Sequence, residues 1–463
     1  MNFVFVTIDT LRADRLGCYG YWRDDISPHI DQIAREGVLF SQHYASGIPT
    51  GPGFSCLHSG LTCARHKFYL TPWGGPNIIN FDDRITTMGD FFLNAGFRTA
   101  AVDNLINFGS HMKQFCRGYN YYMNCTEISL GYHHWVTADQ VNDMALPWLR
   151  ENGKKKDKPF FLWIHYWDPH NPYNHPDSFR NHYHHKKYST HDLHKVKTNA
   201  GYEYVPGWGA AHQIDEGDGY SKRSGDKLNH DFYDEEIRYV DDRLGKVYDL
   251  LRELDILDDT CIVITSDHGE ELGQHHHYWL HKYLYESTIR VPLMVRYPRQ
   301  FPQDKVIDGF VQQIDILPTL INLAGIEPRN RTIQEPSDIA TFDGQSVLPM
   351  IQGETGGRPY AFTEGGANWE YSRSLLLPDG WKIIWQAYKN QSELYNVKDD
   401  LAEIIDLGEK EPEKRETLSN KLNEVVADLL NGAFDPIPRA GAEHVWPLQY
   451  FMQVVMENHG MRQ

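Results

Sequence analysis

The feature that most constrains the fold is a short apolar segment at the start of the chain, residues 2–8, which ends on Asp9. A continuous apolar run of this length is typical of a strand buried on both faces of a parallel sheet. Helix-like and strand-like patterns then alternate up to about residue 297, which predicts an α/β fold with a large, mostly parallel sheet. Ligands bind at the carboxyl ends of such strands, so Asp9 is in a position to take part in a site.

Periodicity and capping residues predict the elements that follow. Helices are predicted over residues 28–37, 87–95, 138–150 and 232–254, and strands over residues 98–103, 160–166, 260–267 and 291–297.

After Pro349 the pattern changes to shorter strand-like runs and one charged helix. These elements are predicted over residues 374–377, 381–385 and 412–430. We therefore predict a catalytic domain over residues 1–354 and a smaller C-terminal α+β subdomain with a tail over residues 355–463.

Residues 174–229 interrupt the alternation. They are rich in His, Tyr, Gly, Asp and Lys and have almost no aliphatic period. Long segments without secondary structure often cover functional sites, so we predict an inserted loop over the site. The histidines of this segment are irregularly spaced, which favours solvated loop residues over a metal cluster. They include His182, His184, His185, His191 and His194.

Composition excludes several classes of protein. The 463 residues are 41% hydrophobic and 23% charged, which is typical of a globular chain. The formal net charge of −18 disfavours nucleic acid and anionic membranes as partners, because both require a basic surface. An anionic substrate would therefore need a local positive centre, such as a metal ion.

The expected compartment is the cytoplasm. No apolar stretch approaches the roughly 18 residues of a membrane-spanning helix. The first residues lack the basic region of a signal peptide. The six cysteines include no CxxC pair, and we interpret them as small buried thiols in a reducing compartment.

Two further segments carry residues suited to metal-assisted chemistry. The apolar run that begins at Ile262 delivers Asp267 and His268 into a glycine turn, and oxygen beside nitrogen suits zinc or manganese. Thr50 lies between prolines and glycines just before a predicted short helix, where anions are favoured. A divalent cation could lower its pKa and make it a nucleophile. The alternatives are a strand-end pair satisfied by backbone and an ordinary N-cap.

Three more residues are candidates for contacts with substrate. His170 follows the predicted strand at 160–166 and could donate a proton to a leaving or nonbridging oxygen. Lys282 and His275 lie in a His- and Lys-rich run and could contact an anion. The alternatives are a packed, hydrogen-bonded histidine and a solvated face.

Five motifs, in this order, strongly resemble the sulfatase-like branch of the alkaline phosphatase superfamily. They are Ile-Asp-Thr-Leu-Arg at 8–12, Pro-Thr-Gly-Pro at 49–52, Asp-Pro-His-Asn-Pro-Tyr at 168–173, Asp-His-Gly-Glu at 267–270 and Arg-Val-Pro-Leu-Met-Val-Arg at 290–296. The resemblance spans about residues 2–351 and implies a large sheet sandwiched by helices. The segment at 393–397 is similar to the family's C-terminal subdomain.

The chain departs from the sulfatase pattern at five positions. Thr50 replaces the Cys or Ser that sulfatases oxidise to formylglycine, and threonine cannot form that aldehyde. Phe54 replaces the motif's Arg, and Asn104 stands at the sulfate-binding Lys of the Gly-Lys-Trp-His stretch. Thr10 replaces a calcium-binding Asp, and His268 replaces an Asn. Because calcium prefers oxygen ligands, the resemblance implies manganese or zinc instead.

This combination is similar to the phosphonate monoester hydrolases, phosphodiesterases and phosphoryl-group transferases of the superfamily. It implies a hydrolase of phosphodiesters or phosphonate monoesters that forms a covalent intermediate on Thr50. One metal ion would be held by Asp9, Thr50, Asp267 and His268. A second ion stays open, but we identify no further ligand set for it.

The remaining candidates would act on the substrate. His170 and Lys282 would stabilise the phosphoryl oxygens or protonate the leaving group, with Asn104 and His275 as weaker contacts. Two alternatives remain: a sulfatase that works without formylglycine, and an inactive sulfatase-like binding protein. A transferase would differ only in its acceptor. The expected partner is a small anionic ester, and a homo-oligomer is left open.

Overall fold

The computed structural model describes most of the chain. The described residues are 1–68, 81–108, 110–126, 136–171, 173, 175–180, 182–183, 193–198, 201–206, 228–272, 275, 278–281, 283–328, 342–354, 356–366, 371–387, 389–432 and 435. Lys282 lies outside this set, as do most of the predicted insertion and the tail after residue 435. No helix in the described part is long and apolar enough to cross a membrane.

The strands are numbered along the chain. Their bounds are β1 Asn2–Ile8, β2 Val38–Phe40, β3 His43–Tyr44, β4 Gly47–Ile48, β5 Arg98–Val102, β6 Tyr121–Met123, β7 Phe160–Tyr166, β8 Leu193–Thr198, β9 Gly201–Pro206, β10 Thr260–Thr265, β11 Glu271–Leu272, β12 Tyr278–Leu280, β13 Leu293–Arg296, β14 Lys305–Ile307, β15 Val311–Gln312, β16 Ala361–Gly365, β17 Ser372–Leu376, β18 Trp381–Gln386 and β19 Gln391–Asn396.

The helices are numbered in the same way. Their bounds are α1 Pro28–Arg35, α2 Thr50–Ser59, α3 Cys63–His66, α4 Met88–Asn94, α5 Ala138–Asn152, α6 Leu228–Glu253, α7 Glu286–Ile289, α8 Ile316–Leu323, α9 Leu348–Gln352 and α10 Pro412–Leu430.

The large sheet has the strand order β14-β2-β13-β10-β1-β7-β5-β6. β1 lies at its centre and pairs in parallel with β10 and β7, and β5 continues the parallel order. β13 is antiparallel to both of its neighbours, a direction that the periodicity of residues 291–297 could not reveal. The predicted α/β class with a mostly parallel sheet is confirmed.

Helices cover both faces of this sheet, because successive residues of a strand point to opposite sides. Val4 and Val6 face the layer that contains α1, α5 and α6. Phe3 and Phe5 face the layer that contains α2, α4 and α8. This second layer places the amino terminus of α2 near the carboxyl end of β1.

The smaller C-terminal sheet has the order β19-β18-β17-β16-β4. α10 packs on it through Leu418, Leu422 and Val425. β4 ends one residue before the turn into α2, with only Pro49 between it and Thr50, and it pairs with β16. The smaller sheet therefore holds the segment that leads into α2. The predicted runs at 374–377 and 381–385 overlap β17 and β18.

The cysteines are free thiols, as the sequence predicts. The predicted burial is observed for four of the thiols, whereas Cys18 and Cys116 are only half-buried.

Candidate metal centre

Two parallel strands deliver the carboxylates of the site to one edge of the large sheet. Asp9 follows β1 and Asp267 follows β10, and the register that pairs Thr7 with Thr265 brings the two strand ends side by side. One ligand atom each from Asp9, Asp267 and His268 lies within 4.8 Å of the others. These three predicted metal ligands therefore form one buried cluster.

Thr50 joins this cluster at the first turn of α2. Its Oγ1 lies 3.2 Å from Nε2 of His268. The close approach of α2 depends on Gly53, because a Cβ there would lie 2.9 Å from the carbonyl oxygen of Asp267. The Thr-Gly-Pro-Gly sequence thus lets α2 pack close enough for the hydroxyl of Thr50 to lie beside the predicted metal ligands.

His268 presents a lone pair to the centre of the cluster. Its Nδ1 lies 2.8 Å from the carbonyl oxygen of Gly269 and donates to it, so the proton of the neutral ring is on Nδ1. Nε2 then faces Thr50 and lies 3.2 Å from Oδ2 of Asp267. Burial, aided by the nearby His281, lowers the pKa of His268 to about 3, which keeps the ring neutral.

The two carboxylates carry charge that the described residues leave unsatisfied. Asp9 is fully buried, and neither of its oxygens has a hydrogen-bond partner among the described residues; the same holds for Oδ2 of Asp267. Burial and the charge of Asp9 raise the pKa of Asp267. Burial opposes ionisation of Asp9, but His165, His170 and His268 together lower its pKa.

The donor set fits a divalent cation. Two adjacent buried carboxylates are costly without a counter-ion, and three of their oxygens have no hydrogen bond within the described structure. A neutral imidazole nitrogen and a hydroxyl complete the set around them. Mixed oxygen and nitrogen ligands suit manganese or zinc better than calcium.

The sequence analysis missed a histidine and aspartate pair behind Asp9. His165 lies in β7, and its Nδ1 is 2.6 Å from Oδ1 of Asp103, which follows β5. Its Nε2 faces Oδ2 of Asp9 at 3.6 Å. Burial would lower the pKa of His165, but Asp103 and Asp9 outweigh it and raise this pKa to about 9. The only signal in the sequence was a histidine inside an apolar strand.

A second missed residue, His281, lies beside Lys282. Its ring stacks on His268 with centroids 4.5 Å apart and lies 5.2 Å from the ring of His170. Its Nδ1 is 3.5 Å from Oε1 of Glu270. The structure therefore places His170 beside an imidazole that was not predicted from the sequence.

The two weaker predicted contacts are Asn104 and His275. Asn104 is buried directly after Asp103, the partner of His165. The ring of His275 stacks on Tyr285 with centroids 3.6 Å apart. Neither residue has a described contact with Thr50.

A model of the sulfatase family matches residues 1–326 of this chain. The chain belongs to the sulfatase family. A second model, described as the C-terminal region of N-sulphoglucosamine sulphohydrolase, matches residues 273–431 of this sulfatase-family protein. The resemblance stated from the sequence motifs is confirmed, and the protein is a hydrolase.

Curated relatives of this sulfatase-family protein include sulfatases and a protein of mixed activity. It is 24% identical to the choline-sulfatase of Rhizobium meliloti (strain 1021), over 94% of this chain and 91% of that protein. It is 26% identical to the multifunctional alkaline phosphatase superfamily protein PehA of Trinickia caryophylli, over 76% of this chain and 77% of that protein.

The fold of this sulfatase-family protein matches solved structures of the same superfamily. The phosphonate monoester hydrolase of Agrobacterium radiobacter superposes with a TM-score of 0.70 at 19% identity, covering 93% of this chain and 96% of that one. The likeness confirms the alkaline phosphatase-like fold predicted from the motifs.

Proposed function

We propose that this protein is a metal-dependent hydrolase of phosphodiesters or phosphonate monoesters in which Thr50 is the nucleophile. The observation that supports the proposal best is the hydroxyl of Thr50, 3.2 Å from the unprotonated Nε2 of His268. This hydroxyl adjoins two buried carboxylates whose oxygens lack hydrogen-bond partners in the described structure. The arrangement suits a hydroxyl that loses its proton beside a cation.

The identity of the nucleophile favours phosphoryl over sulfuryl transfer. A hydrated formylglycine expels sulfate when it collapses to the aldehyde, and Thr50 cannot form that aldehyde. An ester on Thr50 must instead be cleaved by water or another acceptor, which phosphoryl chemistry tolerates.

The residues of this chain would have different roles in the reaction. A divalent cation held by Asp9, Asp267 and His268 would lower the pKa of the Thr50 hydroxyl and neutralise charge on the phosphoryl oxygens. The hydroxyl of Thr50 loses its proton to solvent, its oxygen attacks phosphorus in line, and the bond to the leaving oxygen breaks. His170 in its protonated form, or Lys282, gives a proton to the leaving oxygen, and water then hydrolyses the Thr50 ester and restores the hydroxyl.

The other candidates would help to bind the anion. Lys282 remains a proposed contact for the phosphoryl oxygens or the leaving group, with Asn104 and His275 as weaker contacts. His281 joins the proposed set, because its ring lies between those of His268 and His170. We propose one ion, manganese or zinc, and no formylglycine.

A second candidate function is hydrolysis of sulfate esters without formylglycine. The relatives that support it are the choline-sulfatase and the N-sulphoglucosamine sulphohydrolase model that matches residues 273–431. An inactive sulfatase-like binding protein is less well supported, because Asp9 and Asp267 would then remain buried with no reaction to serve.

Turnover of two model substrates tests the proposal. The manganese- or zinc-loaded protein is assayed for nitrophenolate release from bis-nitrophenyl phosphate and from nitrophenyl sulfate. We expect a clear preference for the diester, loss of turnover in Thr50→Ala, and retained turnover in the matched Thr50→Ser variant. Preference for the sulfate would overturn the phosphoryl assignment, and inactivity on both substrates would favour the binding protein. Unimpaired turnover by Thr50→Ala would overturn the assignment of Thr50 as the nucleophile.

We also propose that the protein works in the cytoplasm. Its six cysteines are free thiols, and four of them are buried. Thiols in this state fit a reducing compartment.

A further inference from the structure

Behind the proposed metal ligand Asp9 lies a buried pair, His165 and Asp103, that the proposed mechanism does not use. Both side chains are shielded from solvent. β7 carries His165 opposite Thr7 of β1, and Thr7 lies on the same side of its strand as Asp9. The register of two central strands therefore aims an imidazole at the carboxylate.

Hydrogen bonds fix the direction of this imidazole. Nδ1 of His165 donates to Oδ1 of Asp103 at 2.6 Å, and because the ring lies between two carboxylates, the N–H on its Nε2 faces Oδ2 of Asp9 at 3.6 Å. Asp103 is itself held, because its Oδ2 accepts from the backbone N–H of Leu105 at 3.0 Å and from the hydroxyl of Tyr122. Within the described structure, Nε2 of His165 has no hydrogen-bond partner of its own.

Aromatic packing prevents the ring from turning away. The ring of Trp163 is parallel to that of His165 within 6°, and the ring of Phe54 meets it edge-on with centroids 4.6 Å apart. Phe54 lies about one helical turn after Thr50 in α2. His165 is therefore held between Phe54 of the helix that carries the proposed nucleophile and Trp163 of its own strand, β7.

We propose that His165, held by Asp103, is a positioning residue that orients Asp9 for metal binding. The N–H on Nε2 attracts Oδ2 of Asp9, which restricts the rotation of a carboxylate that has no hydrogen bond to any other described group. Partners of this kind around metal ligands typically change metal affinity by about 10–100-fold. The inference rests on the proposed function only in requiring that Asp9 binds a metal.

Titration of the whole protein with Mn²⁺ tests this role without any assay of hydrolysis. We expect His165→Phe, which keeps a ring but removes both nitrogens, to weaken Mn²⁺ binding by about 10–100-fold. Asp103→Asn removes the charge that holds His165, and we expect it to weaken Mn²⁺ binding by a smaller factor. The absorption spectrum of bound Co²⁺ should change in both variants, which loss of packing alone would not cause.

His58→Phe is the matched control. His58 is buried in the same aromatic cluster, with its ring 4.3 Å from that of Trp163, and its described contacts do not reach Asp9. We expect its Mn²⁺ affinity and Co²⁺ spectrum to match those of the wild type.

The outcomes separate this inference from the proposed function. Wild-type affinity and spectrum in His165→Phe would overturn the positioning role while leaving the metal site intact. Failure of the wild type to bind Mn²⁺, Zn²⁺ or Co²⁺ would overturn the metal site itself. If His165→Phe does not fold, unchanged metal affinity in Asp103→Asn overturns the positioning role.

Discussion

Two buried clusters in the described part of the chain contain residue types that bind metals, and they differ in how their polar atoms are satisfied. Asp9, Asp267 and His268 form one cluster, and Cys56, Cys63 and His66 form the other. In each cluster, one ligand atom from every residue lies within 4.8 Å of the others. Residue type and distance alone therefore do not distinguish the two.

The cysteine cluster satisfies itself. The sulfur of Cys56 lies 3.8 Å from that of Cys63 and 3.4 Å from Nε2 of His66. Nδ1 of His66 accepts from the backbone N–H of Phe68 at 3.0 Å, so the ring proton is on Nε2, which then has no lone pair for a metal. Burial raises the pKa of Cys63 and lowers that of His66 to about 3.

The carboxylate cluster is the opposite case. Its imidazole holds its proton on the outer nitrogen, Nδ1, and its carboxylates retain oxygens without partners in the described structure. A neutral buried cluster is stable as it stands, whereas buried charge requires compensation. Unsatisfied buried charge, rather than the mere presence of residues that can bind metals, therefore distinguishes the proposed metal site.

The largest expected effect tests which of the two clusters binds the metal. Asp9→Asn should abolish metal binding and lower diester turnover by about 10³-fold, because the cation and its charge stabilisation are lost. Cys56→Ser should leave both unchanged. Elemental analysis of the purified proteins and nitrophenolate release measure the two effects. Metal loss in Cys56→Ser with metal retained in Asp9→Asn would reverse the assignment.

The next effect concerns the imidazoles beside the carboxylate cluster. His281→Gln should lower kcat by about 10²-fold for an alkyl leaving group, if the paired rings of His170 and His281 share the proton donation. The loss should be smaller for nitrophenolate, which leaves without a proton. Steady-state rates with a methyl and a nitrophenyl ester of the same phosphonate test this. Equal losses on both esters would assign His281 to anion binding instead.

The smallest effect uses a third buried set, in which opposite charges compensate each other within the chain. His175 lies 3.1 Å from Glu235 and 3.0 Å from Glu236. Burial would lower the pKa of His175, but these carboxylates raise it to about 9. Its contribution is present below about pH 6.5, the unfolded value, and is lost as pH rises through about 9.

Urea unfolding of the wild type and His175→Gln measures this contribution. The variant should be less stable by about 3 kcal/mol at pH 6, and the difference should shrink towards zero above pH 9. His182→Gln, an exposed residue of the same segment, should change stability by less than about 1 kcal/mol at either pH. A pH-independent difference in His175→Gln would contradict the charged pairing.

The sequence predicted the parts of the site that depend on strand ends. Asp9 and Asp267 follow apolar runs, and parallel strands place such ends at the same edge of a sheet. His165 was missed because its direction depends on which residue of β1 it faces, and periodicity does not fix the register between strands. His281 was missed because it lies in a connection without a period, where neighbouring residues are equivalent by pattern.

The most direct test of the account is the position of the covalent intermediate. The metal-loaded protein is mixed with a slowly hydrolysed aryl phosphonate ester, quenched in acid during turnover and digested for mass spectrometry. We predict a phosphonyl adduct on the side chain at position 50 in the wild type and in Thr50→Ser, and none in Thr50→Ala. Turnover without any adduct, or an adduct on another residue, would contradict the central claim that Thr50 is the nucleophile.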